Sequence, residues 1–325
     1  MKPLWKTLVT SVPLAVALAV PPGFAQATFP DKPVRFIVPF PPGGGTDAFA
    51  RIVGAKLAEA WGQQVVVDNR AGAQGNIGTA LGAKAPADGY TITLAHQGAL
   101  SINPHLYSNT GYDTLRDFAA ISRGMETASV LVVHPSVPAT TMQELAQLAS
   151  ERPGVLTFAS TASLQQLLGE LFKLTTGTNI VHVPYRGAGP AVNDLLSGNV
   201  SMMFANPTST VAQVKAGKLR ALAILGTQHN EALPAVPTAV EAGFPQFSDA
   251  IEWYGVVAPA ATPREIVVKL NAAVVRALKD PEVAARLSGV GQTPSPSTPE
   301  EFAAQIRSDH ERWGKVVKAS GAKAE

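Results

Sequence analysis

Pro39-Phe40-Pro41-Pro42-Gly43-Gly44-Gly45-Thr46-Asp47 is the segment whose residue types best suit chemistry, and that chemistry is the holding of an anion. Three glycines let a backbone approach a ligand closely and adopt positive φ. Behind them Phe49, Ile52, Val53, Leu57 and Trp61 recur at helical spacing. A helix beginning here turns unpaired N–H groups and the positive end of its dipole toward the glycines. No Lys-Ser/Thr follows, so the segment is not a P-loop, and it lacks the spacing of a dinucleotide fingerprint. An ordinary glycine-rich turn is the plainer reading of the same residues. Thr46 is the expected N-cap. Asp47 would repel a carboxylate unless it acts through water, so first-turn charge and an i,i+4 pair with Arg51 are favoured.

Other loops could face the same ligand. Gly72-Ala-Gln-Gly-Asn-Ile-Gly78 is a second glycine-rich turn, with Asn76 a candidate cap, although tight helix–sheet packing explains its glycines equally well. Phe158-Ala-Ser160-Thr161-Ala-Ser163 offers hydroxyls and N–H groups, or simply a helix cap. In Val183-Pro-Tyr185-Arg186-Gly187, Tyr185 could stack on or bond to a ligand and Arg186 could pair with a carboxylate.

Catalytic readings find little support. There is no GxSxG elbow around Ser160, and His96, His105, His134, His182, His229 and His310 form no metal-binding spacing. No cofactor is expected. The absence of cysteine excludes disulfides, thiolate metal sites, a cysteine nucleophile and a lipid anchor on an N-terminal cysteine.

The elements that must position these loops follow from periodicity. Strands are expected at Val34–Val38, Gln64–Val67 and Thr91–Ala95, with helices between them, which implies a parallel sheet with right-handed crossovers. The pattern restarts with strands at Val130–Val133, Val155–Ala159, Ile180–Val183, Val200–Phe204 and Leu219–Leu225. Thr141-Met-Gln-Glu144 reads as a capping box, as does Thr298-Pro-Glu-Glu301; Thr262, before Pro263, and Asp280 read as further helix starts. Glu252–Ala258 reads as a strand returning to the first sheet. With no low-complexity linker, this predicts two α/β lobes hinged about a cleft: residues 28–127 and 250–325 in the first, 128–249 in the second.

Apolar residues make up 46% of the 325, and the net charge is +2. Residues 1–27 hold Lys2 and Lys6 and no acid, so their removal leaves 24 bases against 24 acids. A neutral chain without a basic run offers no field for nucleic acid. Lys2 and Lys6, the apolar Leu8–Val20 broken by Pro13, and Ala25-Gln26-Ala27 have the pattern of a cleavable secretory signal over residues 1–27.

PFPPGGGTD (39–47), DNRAGAQGNIG (68–78), ADGY (87–90), HVPYRG (182–187), AGKLRALAI (216–224), VPTAVEAGFP (236–245) and WYGVVAPAATP (253–263) occur in that order. The set resembles the substrate-binding proteins of tripartite tricarboxylate transporters, the TctC or Bug family. The resemblance implies a type II periplasmic-binding-protein-like fold and a monomeric, non-enzymatic periplasmic receptor. Such a receptor closes on a small carboxylate and delivers it to membrane permease subunits; a sensor feeding a signalling system, or an enzyme on a related fold, are the alternatives. It also implies site positions at Phe40, Gly43, Gly44, Gly45, Thr46, Asp47, Ser160, Ser163, Tyr185 and Gly187. Gln97, Thr161, Gln165, Arg186 and Asn206 stand beside them as further candidates. Three departures bear on the ligand. The 161–166 loop is shorter, with Gln166 where the family has His; Ala205 replaces an Asp; and His96-Gln97-Gly98 follows the third strand. A less charged, more apolar wall suits an aromatic carboxylate.

Overall fold

The computed structural model describes Met1, residues 29–248 and residues 250–323, so the expected signal segment lies outside the described residues. The first lobe begins with β1 (Val34–Val38), α1 (Gly45–Trp61), β2 (Val65–Asn69), α2 (Asn76–Ala83) and β3 (Thr91–His96). β1 lies between β2 and β3, parallel to both. A π-type turn, Gly98–Ile102, and the short α3 (Asn103–Leu106) lead to β4 (Phe118–Val133).

β4 is the member common to both lobes. Its first part pairs antiparallel with β9 (Ile251–Pro259), which also pairs antiparallel with β3. From Ser129 onward it pairs antiparallel with β7 (Met202–Ala205) and β8 (Arg220–Leu225). The second lobe adds β5 (Thr157–Ser160), between and parallel to β6 (Val181–Pro184) and β7. Its helices are α4 (Met142–Glu151), α5 (Ser163–Thr176), α6 (Ala188–Leu196) and α7 (Pro207–Lys215). Each lobe thus has a three-strand parallel block extended by antiparallel strands. The expected strand at Val130–Val133 is only the last quarter of β4, because Phe118–Ser129 alternates too irregularly to announce a strand, and α7 is an element the periodicity did not predict.

The waist is narrow and regular. Ala128 pairs with Ile251 and Ser129 with Leu225, so both chain crossings lie side by side. Gly226, at φ 154°, sits between them; a Cβ there would stand 3.5 Å from Ala128 Cβ.

Apolar burial follows the two lobes. Phe36, Phe49, Leu57, Ile92 and Leu94 centre the first core, and Phe158, Leu167, Phe172, Phe204 and Phe247 the second. After α8 (Arg264–Lys279), α9 (Pro281–Gly289) and β10 (Thr293–Pro294), the last helix α10 (Pro299–Ser320) divides its apolar stripe between the lobes. Phe302 and Ile306 pack with Trp253 and Val257 of the first lobe. Trp313 and Val317 enter the core of the second, beside Leu164, Leu167 and Leu168. Thr298 caps α10 with a complete capping box, and Asp280 caps α9. Thr262 instead donates its hydroxyl to Pro259 O at 2.7 Å, and Pro263, with a non-helical ψ of 138°, takes the N-cap position of α8.

Candidate functional site

Four helices aim their N-termini at one cavity of about 790 Å³ between the lobes: α1 from the first, α5, α6 and α7 from the second. The volume is that of a small-molecule site. Three of the four ends, at Gly44, Ala162 and Gly187, have no side-chain cap; only Asn206, at α7, caps its own helix by accepting from Thr208 N at 3.1 Å. Uncapped helix ends leave N–H donors and positive partial charge for something else to satisfy. Space beside Gly43, Gly44 and Gly187 is open: a Cβ on any of them would meet nothing within 4 Å. Gly43 and Gly187 also need φ values of 86° and 121°, which favour glycine.

Phe40, Gly43, Gly44, Gly45 and Thr46 line the cavity from the first lobe, and Thr161, Gln165, Arg186, Gly187 and Asn206 from the second. The N-cap of α1 is Gly44 rather than Thr46, so the helix begins two residues nearer the glycines and Thr46 falls within its first turn.

Five other candidates are turned away from the cavity by partners of their own. Asp47 lies behind the loop, accepting from Gly43 N at 3.0 Å, Arg51 Nε at 2.9 Å and Asn69 Nδ2 at 3.1 Å. Gln97 donates to Asp309 of α10, which also accepts from Trp253 Nε1. Ser160 Oγ is 2.7 Å from His182 Nε2. The Tyr185 hydroxyl donates to Asp194 at 2.7 Å. Ser163 is buried across the lobe boundary against Gln74 Oε1, at 2.5 Å, and Asn103. Gln74 meets it from a left-handed conformation, φ 51°, that non-glycine residues rarely adopt. Asn76, expected as a cap, instead accepts from Asn103 and Tyr112, and Gly75 takes the N-cap position of α2.

The sequence reading missed the floor. His96, Glu252 and Tyr254 line the cavity beneath the glycine loop. His96 is packed between Phe40 and Tyr254, with ring centroids 4.6 and 5.2 Å away, and its Nε2 lies 2.9 Å from Glu252. Asn206 Nδ2 donates to Glu252 at 2.7 Å and to the Tyr254 hydroxyl at 3.2 Å. Burial, then the neighbouring Glu252 charge, pushes the Tyr254 hydroxyl well above its ordinary value, so it remains a donor. The only sequence signal was an acid and a histidine set in otherwise apolar strands.

Burial raises the Asp47 carboxyl, but hydrogen bonds from Arg51, Gly43 and Asn69, with the Arg51 charge, outweigh it and hold the group below the usual 3.8. A depressed folded-state value contributes stability that is present above the unfolded value and is lost as pH falls through the folded one. Asp47→Ala should therefore cost about 2 kcal/mol near neutrality, the scale of a charged hydrogen bond and a lost helix-start partner, with the difference from wild type shrinking as pH falls below the usual carboxylate range. Urea melts at pH 7 and at acid pH check this, and ligand affinity should change less than stability does.

Residues 49–322 match the family described as "TctC: Tripartite tricarboxylate transporter family receptor". This chain belongs to that family. Protein BugT of Bordetella pertussis is 41% identical over 299 residues, covering 91% of each chain. Among solved structures, R. palustris Rpa4515 with adipate has 36% identity and a TM-score of 0.85, covering 90% of this chain and 98% of its own. MatC from Rhodopseudomonas palustris with bound malate has 31% identity and a TM-score of 0.82, covering 89% and 100%. This TctC-family chain therefore shares the two-lobed periplasmic-binding-protein fold, and two of its solved relatives hold adipate and malate. Among its described residues no helix is long and apolar enough to cross a membrane.

Proposed function

We propose that this chain is a periplasmic, non-enzymatic receptor that closes its lobes on a small carboxylate and presents it to the membrane subunits of a tripartite transporter. The observation that carries the reading is the convergence of four helix N-termini, three of them without side-chain caps, on one interlobe cavity. Each helix end is worth roughly 0.3–1 kcal/mol to an exposed anion and up to about 2 when partly buried. Closure about the waist, where the chain crosses at Ala128–Ser129 and Ala250–Ile251, removes water and strengthens those contacts, so ligand shifts an open–closed equilibrium. The structural relatives that carry adipate and malate support the ligand class, and the family description supports the transport partner.

A thermal-shift screen of the chain without residues 1–27, against aliphatic and aromatic carboxylates, tests this directly. A ligand at 100 times its Kd stabilises the folded state by about 2.7 kcal/mol, a shift of several degrees. No shift with any carboxylate, alongside a shift with neutral sugars or cations, would end the reading.

A further inference from the structure

We infer that the ligand carries one carboxylate and, at its other end, a hydrogen-bond donor such as a hydroxyl or amino group, and that Glu252 excludes a second carboxylate. The inference rests on the proposed carboxylate-binding role of the cleft and narrows its ligand class.

Glu252 is only 1% exposed, yet it forms part of the cavity floor. Its partners are His96 Nε2 at 2.9 Å, Asn206 Nδ2 at 2.7 Å and, more distantly, the Tyr254 hydroxyl at 3.5 Å. All of them donate, so Glu252 acts purely as an acceptor, the pattern of an ionised carboxylate. The Nδ1 of His96 is also occupied: it accepts from Gly98 N at 3.0 Å. Its ring proton is therefore on Nε2, and His96 brings Glu252 a hydrogen bond rather than a positive charge. Asn206 and Tyr254 are neutral as well. The floor thus holds a buried negative charge supported by neutral dipoles.

The cavity consequently has two unlike ends. Toward the mouth, Gly43, Gly44 and Gly187 border open space at uncapped helix starts, which favours an anion. Toward the floor, the α7 start is already satisfied by Asn206, whose amide group faces Glu252. Gly45 marks the passage between them, its Cβ position 3.4 Å from the Tyr254 hydroxyl. A carboxylate reaching the floor would meet a like charge where little water screens it. A hydroxyl or ammonium group there meets an acceptor instead.

The test uses ligand pairs of matched length that differ at one end: 6-hydroxyhexanoate against adipate, and 4-hydroxybenzoate against terephthalate. Calorimetry on the wild-type protein should show the hydroxy acid binding at least tenfold tighter in one pair or both. Glu252→Gln, which removes the charge and keeps the shape, should raise dicarboxylate affinity and cut that preference severalfold. Equal or tighter binding of both dicarboxylates by wild type overturns the inference while leaving the carboxylate-receptor reading intact. An unchanged preference in a folded Glu252→Gln protein overturns the role of Glu252. Binding of no carboxylate at all overturns the receptor reading and this inference together. The wild-type comparison decides the ligand class even if the variant does not fold.

Discussion

Gly45→Val should lower carboxylate affinity by about 100-fold or more while leaving the unliganded protein folded. A Cβ at this position would stand 3.0 Å from Gln292 Nε2 and 3.4 Å from both Thr208 Oγ1 and the Tyr254 hydroxyl. Two of these neighbours belong to the first lobe and one, Thr208, to the second. Valine's methyl groups therefore enter the space the lobes share when closed, and they crowd Gln292, whose side chain donates to Gly45 O at 2.8 Å. Overpacking of this kind costs about 1–3 kcal/mol, and about 2.7 kcal/mol corresponds to 100-fold in affinity. Gly44→Val is the companion variant. Its Cβ meets nothing within 4 Å, so it intrudes on the ligand's space without disturbing protein packing. Calorimetry with any carboxylate found by thermal shift reads both variants. Undiminished affinity in the pair would mean that the ligand does not approach this loop.

Trp313→Ala should cost about 4 kcal/mol of stability, the usual scale for removing a buried tryptophan. Trp313 is on the helix that ends the first lobe, but its ring lies in the core of the second, with Leu164, Leu167 and Leu168. Phe302 and Ile306, about three and two turns earlier on the same stripe, are packed on the first lobe. Asp309 stands between the two contacts and anchors the helix to the first lobe through Trp253 and Gln97. The substitution therefore loses core volume and also releases one tie between the lobes. Urea unfolding should show the full loss, and the thermal midpoint should fall by roughly 10 °C. A midpoint within one degree of wild type would show that the end of α10 does not hold the second core together.

Much of the architecture was legible along the chain because it depends on local pattern. The apolar run Val34–Val38, the helical stripe from Phe49 to Trp61 and the capping box at Thr298 each state their own structure, and the folded chain agrees. Local pattern failed at Thr46, which lies two residues beyond the true N-cap Gly44, and at Thr262, which lies one residue before the true N-cap Pro263. It failed more widely in the second lobe. Ser163 and Tyr185 have the chemistry of ligand contacts, but their side chains are committed to Gln74, Asn103 and Asp194. The partners of Ser163 are distant in the chain, and Asp194 comes within reach of Tyr185 only once α6 has folded back beside β6.

By itself the sequence determined the family, through motifs spread from Pro39 to Pro263, and the alternation of strand and helix, which rests on neighbours a few residues apart; it marked the glycine loop as a candidate anion site. Tertiary structure alone decided that three further helices, α5, α6 and α7, turn their starts to the same cavity. It also decided that His96, Asn206 and Glu252, which lie on three strands or loops far apart in the chain, meet beneath it, and that α10 spans both lobes. The reason is physical: a helix end or a buried charge acquires its role from what closes over it, and the strand pairings that bring β3, β7 and β9 together join segments far apart in the chain.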